Sequence, residues 1–129
     1  MPVLTKDPTL GDLLKYELNG NYNREVVTLK SGTNYQLGSV LGRITSSGIY
    51  RLSPDTQVPA DAGAETAVAV LLEAVDATGG NAKGVVVRRG PAIVSKDALV
   101  FDTTVNNQTK IAAKHSQLID VGIVPRDTA

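Results

Sequence analysis

The stretch AETAVAVLLEAVDA, residues 64–77, decides the fold. Its Ala, Leu and Glu residues favour a helix, whereas Thr66, Val68, Val70 and Val75 favour a strand. Read alone it stays ambiguous. Its surroundings are clearer. Upstream, REVVTL (24–29) is a β-branched run that ends at the turn Lys30-Ser31-Gly32. GSVLGRI (38–44) follows, and IYRL (49–52) reads as its hairpin partner across Ser47-Gly48. A loop containing Pro54 and Pro59 leads into 64–77, and Gly79-Gly80 closes it. Downstream, GVVVRR (84–89), AIV (92–94) and ALVF (98–101) are short apolar runs separated by Gly90-Pro91 and Lys96-Asp97. The clearest helix spans about Asn107 to Val121, with Asn106 as its cap and Gly122 as the residue just past its end. IVP (123–125) is a final strand stub.

With 129 residues the chain is expected to form one domain. Hydrophobic residues make up 42% and charged residues 20%, which excludes a disordered tail. Lys plus Arg and Asp plus Glu each total 13, so the chain lacks the basic excess of a nucleic-acid binder. The absence of cysteine removes disulfides, iron–sulfur clusters, thiolate zinc sites and cysteine nucleophiles. A single histidine excludes a multi-histidine metal cage within one chain. No stretch approaches the ~18 apolar residues of a membrane span, and no signal peptide is visible. Aromatic residues are only Phe101, Tyr16, Tyr22, Tyr35 and Tyr50. The core must then be aliphatic, and assembly is expected to contribute to stability.

Residues 1–23 differ in character. MPVLTKDPTLGDLLKYELNGNYN is punctuated by Pro, Gly and Asn, with Leu10, Leu13, Leu14, Tyr16, Leu18 and Tyr22 spread thinly. LGDLLKYEL is expected to form a turn or two of helix with its leucines on one face, stopped by Asn19-Gly20. The segment reads either as a frayed terminus or as an arm that orders against a partner.

Catalytic equipment is sparse. His115 falls on the helix stripe Ile111, Ala112, His115, Leu118 and Ile119, where a partly buried structural histidine is expected. No G-x-S-x-G, G-x-G-x-x-G or Walker A pattern accompanies it. Asp55, Asp61, Glu65, Glu73, Asp76, Asp97, Asp102 and Asp120 are spread singly, and Glu73 and Asp76 point to opposite faces if extended. Arg88-Arg89 reads as a solvated strand end. Asn107-Gln108-Thr109 fits a glycosylation sequon whose default explanation is chance. LKSGTNYQLGSVLGRI (29–44) resembles the strand pair around the modified lysine of biotinyl and lipoyl carrier domains, but Lys30 lacks the hydrophobic flanks those domains use. No catalytic residue, metal or cofactor is expected.

Taken in order, LLKYE (13–17), YNREVVTLKSG (22–32), LGSVLGRITSSGIYRL (37–52), TAVAVLLEAVDA (66–77), VVVRRGPAIVSKDALVF (85–101) and LIDVGIVPR (118–126) resemble the lambda-type head decoration proteins of tailed bacteriophages. The resemblance implies a mainly β, β-clip-like small domain with one short C-terminal helix and a flexible N-terminal arm. It makes 64–77 mainly β, residues 1–23 the arm and residues 24–129 a single β-rich domain. It implies homotrimers that bind the major capsid protein of the expanded head and reinforce it against packaged DNA. The implied location is the virion exterior, after assembly in the host cytoplasm, with no direct nucleic-acid or membrane contact. Head-binding residues carried over to the arm are Leu13, Leu14, Tyr16, Glu17 and Tyr22, with Arg24 and Glu25 opening the body. The best-known member has an arm richer in Ser, Thr and Pro and a body with tryptophan, which this chain lacks. The competing class is a small β-clip or barrel-sandwich domain that binds a ligand or carries a cofactor.

Overall fold

A computed structural model describes residues 10–127. Its centre is a closed five-stranded barrel built from β2 (Arg24–Leu29), β4 (Val40–Arg43), β5 (Tyr50–Leu52), β6 (Ala67–Leu71) and β8 (Ala82–Val87), in the order β2-β5-β4-β6-β8. The pairings are antiparallel except for β2 with β5, which meet in parallel at Leu29 and Tyr50. Beside the barrel, β9 (Ala92–Ser95) lies between β1 (Leu14–Glu17), antiparallel to it, and β10 (Ile123–Arg126), parallel to it. The short strands β3 (Asn34–Tyr35) and β7 (Val75–Asp76) pair antiparallel. Two short helical turns, α1 (Leu10–Leu13) and α2 (Gly20–Asn23), precede the one long helix, α3 (Gln108–Asp120).

The period-2 geometry of strands divides the core into two layers. Val27, Leu29, Leu41, Ala69, Leu71 and Val86 fill the barrel with Tyr35 and Tyr50. Their sequence neighbours Val40, Val70 and Val87 point the other way, into a second cluster with Leu13, Ala92, Val94, Leu118 and Ile123. β6 is therefore buried on both faces. That explains its reading as an unbroken apolar run with no alternation to distinguish strand from helix. Residues 67–71 and 75–76 are strand, as the resemblance implied. Backbone crowding fixes one position in the barrel. A Cβ on Gly42 would lie 1.9 Å from the Ala64 carbonyl oxygen, beside the register shift between β4 and β6.

Several local expectations are corrected. ALVF (98–101) is not a strand: a 3-10 turn, η1 (Lys96–Ala98), occupies its start. Only Val100 bridges Ser39 in parallel, its N–H donating to the Gly38 carbonyl at 2.9 Å. The helix cap is Asn107, whose Oδ1 accepts from the Lys110 N–H at 3.0 Å. Asn106 instead accepts from the Lys110 side chain. Helical structure around Leu10 lasts one turn and gives way to β1, because backbone pairing with β9 outcompetes a helix too short to hold itself. On α3 the core-facing residues are Lys114 and Leu118, while Ala112 and Ile119 are exposed. The predicted hairpin of β4 and β5 is present, and Gly122 adopts φ 85° just past α3.

Candidate functional site

Residues 10–23 follow the body closely, and residues 1–9 lie outside the described part of the chain. Leu13 is fully buried in the outer core cluster. Leu14 is half-buried and opens β1 opposite Val94. Glu17 accepts two hydrogen bonds from the Arg24 guanidinium, at 2.6 and 3.0 Å, a fork that fixes both side chains. Asn23 is fully buried, and its position explains the turn before β2. Its Nδ2 donates to the carbonyls of Arg89 (2.9 Å) and Pro91 (3.2 Å), and its Oδ1 accepts from the Asn19 N–H at 2.8 Å. Arg89 completes the frame. It donates to the Tyr22 carbonyl at 2.8 Å, pairs with Glu25 at 3.3 Å, and places its guanidinium 5.8 Å from the Tyr22 ring centre.

Against this polar frame four large apolar side chains face outward: Tyr16, Leu18, Tyr22 and Val26, each 48–64% exposed. Among the described residues only Ile119 is similarly exposed. A fixed backbone that presents aromatic and aliphatic side chains to solvent is suited to contact with another protein. Of the five head-binding residues inferred from the sequence, Tyr16 and Tyr22 are accessible, Leu14 and Glu17 half-buried, and Leu13 internal. Leu18 and Val26 join the exposed set, and Val26 was hidden from sequence reading by its place inside the β-branched run REVVTL.

The remaining polar groups mainly hold the fold together. Arg88 donates to the Tyr50 hydroxyl at 2.9 Å, so the Arg88-Arg89 pair is tied to the barrel and the segment 22–25. Lys30 and Arg51 both bind the buried Asp61 carboxylate, at 2.8 Å each, and the Lys30 contact first, then burial against it, set a net downward pull on the Asp61 pKa. Lys30, just past β2, is thus held in an ion pair with Asp61. Lys114 is buried at the helix–barrel junction. Its ammonium donates to Ser53 Oγ (2.9 Å) and to the carbonyls of Pro54 (2.7 Å) and Glu65 (2.6 Å), and burial pulls its pKa down. His115 packs at a tilt against Phe101, with ring centres 6.0 Å apart, and burial lowers its pKa. Among the described residues no three His, Cys, Asp or Glu side chains converge as a metal site, and no helix is long and apolar enough to cross a membrane.

The family model of the bacteriophage lambda head decoration protein D matches residues 3–123. The chain belongs to that family. This decoration-protein chain is therefore a structural component of a phage head, and its mostly β body with one long C-terminal helix agrees with the fold expected from the resemblance. No curated protein matches it.

Proposed function

We propose that this decoration protein binds as homotrimers to the major capsid protein of the expanded head and reinforces the shell against the pressure of packaged DNA. In this reading residues 1–23 act as the head-contacting arm and 24–129 as the body. Tyr16 and Tyr22 make the contact, Leu13 and Leu14 anchor the arm's base, and the Glu17–Arg24 fork fixes its direction. The observation that carries the reading is the exposed apolar set of Tyr16, Leu18, Tyr22 and Val26, held on a hydrogen-bonded frame in a protein of this family.

The physics favours several weak contacts over one strong one. A three-fold ring uses one heterologous interface three times and closes, so it presents three arms at fixed spacing. Tethering raises the effective concentration of the second and third arms, which adds ~10²–10⁴-fold in apparent affinity when the geometry matches. A ligand of one lattice state stabilises that state by mass action, and equal affinity for both states would shift nothing.

The test is co-sedimentation with purified unexpanded and expanded heads, beside light scattering of the free and bound protein. Trimer stoichiometry and binding orders of magnitude tighter to expanded heads support the proposal, together with greater heat resistance of covered heads. A stable dimer, or equal binding to both heads without added stability, overturns it.

A further inference from the structure

We propose that Arg89 is a positioning residue of the head-contacting surface, whose guanidinium fixes the direction of the Tyr22 ring. Its loss weakens head binding through Tyr22 and not through the fold. This inference rests on the reading of Tyr22 as a head contact, and it adds to that surface a residue 67 positions away in the chain.

Tyr22 needs such support. It sits on α2, a single turn too short to hold itself, and it is 55% exposed. A side chain that exposed exchanges between rotamers unless something holds it, and ordering it on binding then costs affinity. The Arg89 guanidinium touches Tyr22 twice. Its Nη1 donates to the Tyr22 carbonyl at 2.8 Å, and its carbon lies 5.8 Å from the ring centre, inside the cation–π range of ~6 Å. Its Nη2 pairs with Glu25 at 3.3 Å, which keeps the group from swinging into solvent. Two nitrogens that donate in two fixed directions are a property of the guanidinium fork.

The root of Arg89 is fixed independently of its tip. The Arg88 N–H donates to the Asn23 carbonyl at 2.8 Å, and the Gly90 N–H donates to the Val121 carbonyl at 2.9 Å. Between them the Arg89 carbonyl accepts from the buried Asn23 Nδ2 at 2.9 Å. The backbone of 88–90 is thus tied to α2 on one side and to the end of α3 on the other, whatever the Arg89 side chain does. The side chains of Arg89 and Glu25 are 42% and 46% exposed, and ion pairs that exposed add little stability. The guanidinium therefore decides where the ring points far more than whether the chain folds.

The experiment compares Arg89→Ala, Tyr22→Ala and the double variant of the full chain, free and in co-sedimentation with expanded heads. Arg89→Ala should lower the melting temperature by no more than roughly 4 °C. By NMR, the Tyr22 Hα–Hβ couplings of the free protein should report one χ1 rotamer in the parent and an average over several in Arg89→Ala. Head binding should weaken about tenfold in Arg89→Ala, since a small loss at each arm is multiplied over three. In the Tyr22→Ala background the same change should cost less than about twofold. Unchanged couplings or unchanged head binding in Arg89→Ala overturns the proposal. So does an equal loss with and without Tyr22, because Arg89 would then touch the head itself, or a melting temperature lower by ~10 °C, because its role would be structural. Tyr22→Ala that binds heads as tightly as the parent overturns the head-contact reading and the binding part of this proposal with it. Loss of head binding in Tyr22→Ala but not in Arg89→Ala overturns this proposal alone.

Discussion

Gly90 and Gly122 meet backbone against backbone where the end of α3 passes the start of the β9 sheet. A Cβ on Gly90 would lie 1.9 Å from the Gly122 carbonyl oxygen, and one on Gly122 would lie 2.9 Å from the Gly90 Cα. Hydrogen bonds run through the same junction, from the Gly90 N–H to the Val121 carbonyl at 2.9 Å and from the Ala92 N–H to the Gly122 carbonyl at 3.1 Å. The two glycines let the helix hand its chain directly to β10. Gly122→Ala combines a left-handed φ with a close contact and should cost about 2 kcal/mol. Gly90→Ala faces the shorter contact and should cost more. Thermal melts of the two variants check both the size and the order.

Lys114 ties α3 to the loops before β6. Lys114→Ala removes the donor from the buried Ser53 hydroxyl and from two carbonyls, which should cost about 2–4 kcal/mol. Lys114→Met keeps the aliphatic stem but not the donor, so it should recover only the packing part. Urea unfolding of the two variants separates these contributions. A Met variant as stable as the parent would show that the hydrogen bonds contribute nothing net.

Asp61 makes stability fall in acid. Its hydrogen bonds to Lys30 and then Arg51 hold the folded carboxyl below its ordinary 3.8, although burial opposes them. The folded state therefore binds fewer protons than the unfolded chain in that window. The stabilisation is complete above the ordinary value and is lost as the pH falls through the depressed one. Asp61→Asn should lower stability at pH 7 by about 2 kcal/mol, a figure reduced for the partial exposure of Lys30. It should also flatten the loss of stability as the pH falls through and below the ordinary carboxylate range of about 4. Denaturant midpoints across that pH range test the sign.

Truncation at two points should give different results. Removing residues 1–9 leaves every described core residue in place. Removing 1–23 deletes Leu13 from the core and Asn23 from its bonds to Arg89 and Pro91. The longer deletion should therefore cost several kcal/mol, on the order of a buried leucine plus a buried amide. Amide exchange should likewise show protection at β1. Full stability of the longer deletion would mean that β1 contributes little to the body.

Barrel strands β2, β4, β5 and β8 were legible because β-branched runs bounded by Gly and Pro mark short strands without tertiary information, whereas β6, buried on both faces, was not. The turn at Ser47-Gly48 placed the β4–β5 hairpin for the same reason. β1 was not legible. LKYE has weak strand propensity, and only β9, distant in sequence, makes it extended. β3 and β7 are two-residue ladders, too short to leave a pattern. Residues 98–101 look like a strand but carry a single bridge, because a run of apolar side chains reports burial rather than pairing. Lys114 was missed since no sequence rule places a charged residue against a core, and its partners come from loops far away in the chain. On the exposed face, Tyr16 and Tyr22 were readable as unusual residues for a solvated terminus, whereas the frame that orients Tyr22 depends on Arg89.

The place of β9 between β1 and β10 has a mechanical consequence. β1 runs antiparallel to β9 and β10 runs parallel, so Leu14 and Arg126 leave the sheet at the same end. They are separated by roughly two strand spacings, or ~10 Å. Tension that drags these two points apart across the sheet loads its hydrogen bonds one after another, as in a zipper. Tension that draws both points together along the strands loads whole ladders at once, in shear. Cargo fused at either side of the described chain would thus hang from one rim of the molecule, and the direction of pull would decide whether that rim peels or holds.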